Sequence, residues 1–180
     1  MEAQPARESS SSQPVESYLP RLESLLKDWI RHGGFELGVV IRKNQPTDED
    51  PEAPEFVIDL SGPDSDLLVE RGASLLNALE YVVFKAVRLD EELFGRITLD
   101  CRDWRRLRAR ELQLTAQVAA ERVVDSGDPF TLSPMSPRER RIVHLALKNN
   151  LQVRTVSEGF GPERRVVILP ASSPQRAPSS

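Results

Sequence analysis

The sequence predicts an α+β fold, built as two small units with a long helix between them. Three observations carry this reading. Apolar residues alternate in short runs, the period of a half-buried strand: Phe35, Leu37, Val39 and Ile41; Phe56, Ile58 and Leu60; Ile97, Leu99 and Cys101. Between these runs apolar residues return every three or four positions, the period of a helix with one buried face. Glycine and proline fall at the joints, as at Gly33-Gly34, Ser61-Gly62-Pro63 and Gly127-Asp128-Pro129.

In chain order, residues 1–16 form a polar Ser/Pro-bearing tail with too little apolar surface to fold. Tyr18, Leu22, Leu25, Leu26, Trp29 and Ile30 then give an amphipathic helix that Gly33-Gly34 stops. The first two alternating runs, separated by the acidic loop Asn44 to Pro54, read as a hairpin. A short helical stretch near Asp66 to Glu70 leads to Gly72, and Leu75, Leu76, Leu79, Val82, Val83 and Val87 give a second helix. The run at Ile97 supplies the third strand. Helices on one face of a three-stranded sheet are therefore expected over residues 17–101.

A long helix is expected over 102–127, with Trp104, Leu107, Leu114 and Val118 as its apolar stripe. Its five arginines (Arg102, Arg105, Arg106, Arg108 and Arg110) suit a solvated helix face. Residues 128–170 hold a second small α+β unit. Phe130 to Leu132 reads as a strand, and Ser136-Pro137-Arg138-Glu139 as a helix start. There Ser136 and Glu139 can form a capping box, and Pro137 sits where its missing N–H costs nothing. That helix is expected to bury Ile142, Leu145 and Ala146. Val153 to Ser157 and Arg165 to Leu169 read as two strands joined by the turn Gly159 to Pro162, and residues 171–180 as a second tail.

The net charge of −4 hides a division. Residues 1–101 carry 10 Lys+Arg against 20 Asp+Glu, and residues 102–180 carry 14 against 8. A basic half in an acidic protein points to a polyanionic partner. Arg140 and His144 stand one helical turn apart, with Lys148 a turn further, Arg138 and Arg141 beside them, and Arg164 and Arg165 opening the last strand. An outward row is expected, in which guanidinium forks take phosphate and the imidazole stacks or donates a hydrogen bond.

Other classes find little support. No run approaches the about 20 apolar residues of a membrane helix, and the N-terminus carries no secretory h-region. One cysteine, Cys101, leaves no internal disulfide and suits a reducing cytoplasm, so it is expected to face inward on its strand. There is no CxxC, HExxH, GxSxG or phosphate-binding Gly-rich loop ending in Lys-Ser/Thr, and His32 lies at a Gly-flanked helix end. No enzyme, metal or cofactor is expected.

The stretch Leu132-Ser133-Pro134-Met135-Ser136-Pro137-Arg138-Glu139-Arg140-Arg141-Ile142-Val143-His144-Leu145-Ala146-Leu147, followed by Ser157-Glu158-Gly159 and Arg164-Arg165-Val166-Val167-Ile168, resembles an R-3-H domain. The name describes an arginine and a histidine separated by three residues, here Arg140 and His144. The chain looks like the bacterial Jag (KhpB) family, in which a KH domain precedes the R-3-H domain, and the order of elements over 17–101 suits a type II KH domain. The family's separate N-terminal Jag domain is not seen ahead of Tyr18. The resemblance implies binding of single-stranded RNA or DNA, a post-transcriptional role, and a KH-domain protein or a second copy as partner. A KH domain clamps nucleotides with a GxxG loop. The matching positions are Val69-Glu70-Arg71-Gly72, where valine replaces the first glycine and a carboxylate occupies the basic position. The loop is expected to be degenerate. The competing reading makes the acidic half a protein-contact surface and the nucleic-acid binding vestigial.

Overall fold

The computed structural model describes residues 14–44 and 53–171, so the rest of both expected tails and most of the acidic loop lie outside the described residues. The chain divides into two compact units, one ending at Trp104 and one beginning at Arg105. Mixed α and β structure in each matches the expected α+β class.

The first unit starts earlier than composition implies. Val15, counted with the tail, is fully buried in a 3-10 turn, Val15–Tyr18. Helix α1 (Leu19–Gly33) buries Leu22, Leu26 and Ile30, one residue per turn. Strand β1 (Gly38–Lys43) begins three residues later than its alternation suggests, because the Phe35 N–H turns back to the Ile30 carbonyl and closes the helix. Strand β1 pairs antiparallel with β2 (Phe56–Ser61), the expected hairpin. Strand β3 (Ile97–Asp100) pairs parallel with β2, with Ile58 beside Leu99. Phe56, Ile58 and Leu60 present one buried face to the helices. The open edge of β3 is covered by Glu80, whose carboxylate accepts from the Leu99 N–H (2.7 Å) and the Thr98 hydroxyl (2.9 Å). Cys101 is fully buried as expected, and burial pushes its thiol pKa up.

Helix α2 (Ser65–Ala86) is one run broken at Glu70, Arg71, Gly72 and Ala73, all non-helical. Arg71, Gly72 and Ala73 are left-handed in succession (φ 50°, 69° and 57°), a conformation that only glycine adopts without strain.

The second unit contains most of α3 (Trp104–Ser126), then β4 (Phe130–Thr131), α4 (Pro137–Ala146), β5 (Val153–Glu158) and β6 (Arg165–Pro170). Its antiparallel sheet runs β4-β6-β5, with Ile168 between Phe130 and Thr155. Two expected helix faces are corrected. Leu107, Leu114 and Val118 of α3 are exposed, and the buried stripe is Leu112, Ala116, Ala119, Ala120 and Val123. The expected link therefore belongs to the core of the second unit. Small alanines let the helix backbone approach its neighbours and leave the larger side chains in water. In α4, Ile142 and Ala146 pack partly buried against the core as expected, but the fully buried residue is Val143, with Leu147 just beyond, while Leu145 is 49% exposed. At 3.6 residues per turn, centring the buried face on Val143 and Leu147 in place of Ile142, Leu145 and Ala146 rotates every polar residue on the helix too.

Candidate nucleic-acid interface

Helix α4 is fixed at its start as the sequence expects. The Ser136 hydroxyl accepts from the Glu139 N–H (3.3 Å), the Glu139 carboxylate accepts from the Ser136 N–H (2.8 Å), and Pro137 occupies the first turn. The same carboxylate also accepts from Arg108 Nε of α3 at 2.8 Å, and Arg108 bonds Glu111 at 2.9 Å. Burial works to raise the Glu139 pKa, but Arg108 and Ser136 outweigh it and hold the carboxyl below its usual value. Arg108, read as one of a solvated cluster, is thus a structural clamp between α3 and α4. Another arginine of the cluster, Arg102, pairs with Asp66 in the first unit.

The rotation of α4 changes the expected outward row. His144 is half-buried against β5, with Nδ1 2.6 Å from Thr155 Oγ1 and Nε2 2.9 Å from Ser157 Oγ. A neutral imidazole donates at one nitrogen and accepts at the other, and hydroxyls rotate to suit, so both contacts hold in either tautomer. Burial, and then the charge of Arg140, push the His144 pKa below its ordinary value. His144 therefore pins α4 to β5, and neither ring nitrogen is idle. Arg140 is half-buried as well, and its Nη1 donates to the Met135 carbonyl at 3.1 Å. The Met135 N–H in turn donates to the Arg164 carbonyl (3.1 Å), which ties the start of α4 to the start of β6.

The exposed cations of this region are Arg138 and Arg141 on α4, Lys148 just after it, and Arg164 and Arg165 at the start of β6. Among the described residues no carboxylate forms an ion pair with Arg140, Lys148, Arg164 or Arg165. The single turn of chain between β5 and β6 brings Arg165 back opposite Glu158, with Arg164 beside Gly159. Sequence reasoning missed Thr155 and Ser157. Two hydroxyls at alternate positions of a strand, on the face of buried Val153, were the available signal.

In the first unit Val69 does not stand in the loop. It packs against the core, leaving Glu70, Arg71 and Gly72 exposed. An apolar groove of about 490 Å³ opens between α1 and both arms of α2, with Trp29, Phe35, Leu67, Leu75 and Val82 in its walls. No described helix is long and apolar enough to cross a membrane. Among the described residues no group of three or more His, Cys, Asp or Glu side chains is placed to hold a metal ion.

The model of the R-3-H domain matches residues 110–170, from the middle of α3 to the end of β6. Three curated relatives carry the name RNA-binding protein KhpB. The one from Clostridium symbiosum is 34% identical over 63% of this chain and 51% of its own length. That from Lactiplantibacillus plantarum is 33% identical over 57% and 32%, and that from Bacillus subtilis 31% over 61% and 53%. The matched stretch thus spans about a third to a half of these relatives. The chain is thus similar to these KhpB proteins over 57–63% of its length, and its residues 110–170 match the R-3-H domain.

Proposed function

We propose that this protein binds single-stranded nucleic acid, RNA before DNA, through the basic surface of its second unit and without catalysis. The observation that carries the reading is the set of exposed cations on α4 and β6, Arg138, Arg141, Lys148, Arg164 and Arg165, on the two elements that the Arg140 and His144 hydrogen bonds help to fix. Guanidinium groups take phosphate in a forked geometry. A rigid helix and strand supporting them lower the entropy lost on binding. The R-3-H match and the RNA-binding name of the KhpB relatives support the same choice of ligand. In this reading His144 positions the surface, and the exposed cations hold the backbone of the strand. A cytoplasmic, post-transcriptional role follows from the same likeness.

The first unit is read as KH-like. Its αββααβ order, its parallel β2–β3 pair and a break inside α2 support this. Glu70 stands exposed where a phosphate would approach, so the loop is a degenerate clamp and the unit a scaffold. Its partner is a KH-domain protein or a second copy, a role that the apolar groove beside α2 supports.

The test is fluorescence anisotropy of a labelled oligouridine with the full chain across a salt series. Log affinity should fall linearly with log salt, and Arg141→Ala and Arg164→Ala should each reduce the slope by about 0.7. Binding of unchanged strength and slope in a chain lacking Arg140, Arg141 and Arg164 together would overturn the reading.

A further inference from the structure

The β5–β6 turn presents Phe160 at 92% exposure. Single exposed apolar residues are common, so exposure alone assigns nothing. Three features set this one apart.

The first is its mounting. Gly159 and Gly161 flank it at φ 86° and 54°, a left-handed geometry that holds the turn in a shape other residues resist. A Cβ at Gly159 would lie 3.0 Å from the Glu163 carbonyl oxygen, so the two ends of the turn pass close together there. Pro162 and the Arg164 N–H to Gly161 carbonyl bond (3.3 Å) close the turn. The ring stands on a stiff support with its faces toward solvent.

The second is its position. Phe160 is three residues beyond Ser157, which bonds His144. Three residues of chain span at most about 11 Å. On the other side it is four residues from Arg164, whose carbonyl receives the Met135 N–H while the Met135 carbonyl receives Arg140. Hydrogen bonds thus connect both ends of the turn to the Arg140–His144 pair.

The third is the chemistry of its neighbours. Arg164 and Arg165 stand four and five residues further on, past Glu163, and are exposed. An aromatic face beside cations is the combination that binds single strands, since every base offers a π-face and every phosphate a charge.

We infer that Phe160 is a base-stacking residue, which extends the basic surface from a phosphate site to one that also holds a nucleobase. This rests on the proposed nucleic-acid binding. It adds a contact that phosphate recognition does not need and that is indifferent to base identity.

Three variants are compared on two ligands of equal charge, an oligouridine and an abasic oligonucleotide of the same length. Phe160→Ala should weaken oligouridine binding about 5- to 140-fold, the range for loss of one stacked base. It should leave the abasic ligand and the thermal midpoint unchanged. Phe160→Tyr should bind as the natural chain does. Leu151→Ala, at the other end of β5 and 90% exposed, should change neither ligand. If Phe160→Ala matches the natural chain on oligouridine, stacking is wrong while phosphate binding stands. Equal weakening on both ligands, or the same loss from Leu151→Ala, would also overturn it. Failure of the natural chain to bind either ligand would remove the underlying reading as well. Protein retained through Phe160 with oligouridine binding untouched would assign the ring to a protein partner instead.

Discussion

His144→Ala should loosen α4 from β5 before it does anything else. The imidazole makes two hydrogen bonds, to Thr155 (2.6 Å) and Ser157 (2.9 Å), in a half-buried position. Each contributes about 1 kcal/mol net, and removing the ring leaves two hydroxyls that water can reach only partly. Loss of the packed ring adds to this but is discounted for its exposure, so the expected cost is about 2–3 kcal/mol. Ser157→Ala alone should cost about 1 kcal/mol, and a double-mutant cycle should give a coupling of about 0.5–1.5 kcal/mol. Both tryptophans (Trp29 and Trp104) and both tyrosines (Tyr18 and Tyr81) belong to the first unit, so intrinsic fluorescence reports the wrong half of the molecule. Amide hydrogen exchange of α4 and β5 is the suitable assay, because it reads local opening directly. A coupling near zero, or exchange in α4 unaffected by His144→Ala, would refute the claim that this histidine is a pin.

Five further outcomes follow. The His144 pKa lies below its ordinary 6.5 when folded, so the unfolded chain binds the proton first. Stability of the second unit should fall as pH drops through that value toward the folded pKa, and His144→Gln should flatten this dependence in a pH series of exchange measurements. Glu139 has the opposite origin: its carboxyl is held below 4.5, so the stability it confers is present above that pH and disappears as pH falls through the folded value. Arg108→Ala, which leaves Glu139 with Ser136 alone, should cost about 1–3 kcal/mol in urea unfolding followed by circular dichroism. That is less than for a fully buried pair, because Arg108 is 28% exposed. Ala116→Leu should destabilise by about 1–3 kcal/mol through overpacking, whereas Leu114→Gln and Val118→Gln should stay within about 0.5 kcal/mol. Glu70→Lys should leave oligouridine affinity unchanged; a clear rise would put the loop beside the bound strand.

Elements with strong local signals were legible in the sequence. Gly33-Gly34, Gly127 and the Ser136–Glu139 box mark helix ends by chemistry that acts within a few residues, and the alternation in β2 reports a face that its sheet must bury. The orientation of α3 and α4 was not legible. In α4 nearly all of Ile142 to Leu147 is apolar, so several faces compete and the contacts with β6 decide. In α3 the buried side chains are mostly alanines, whose weak apolar signal is overridden in any periodicity by exposed Leu107, Leu114 and Val118. The candidate site inherits this. Its residue types and the Arg140–His144 spacing were readable. That His144 faces two hydroxyls, and that Arg108 serves Glu139, depends on pairings 11 to 31 residues apart.

The most direct test is photocrosslinking of the intact chain to oligouridine, with identification of the attached peptide. Adducts within residues 128–170, lost when Arg141, Arg164 and Arg165 are replaced by alanine, are the predicted result. Adducts confined to residues 62–90, around Arg71 and Gly72, would contradict it and move the interface to the other half of the chain.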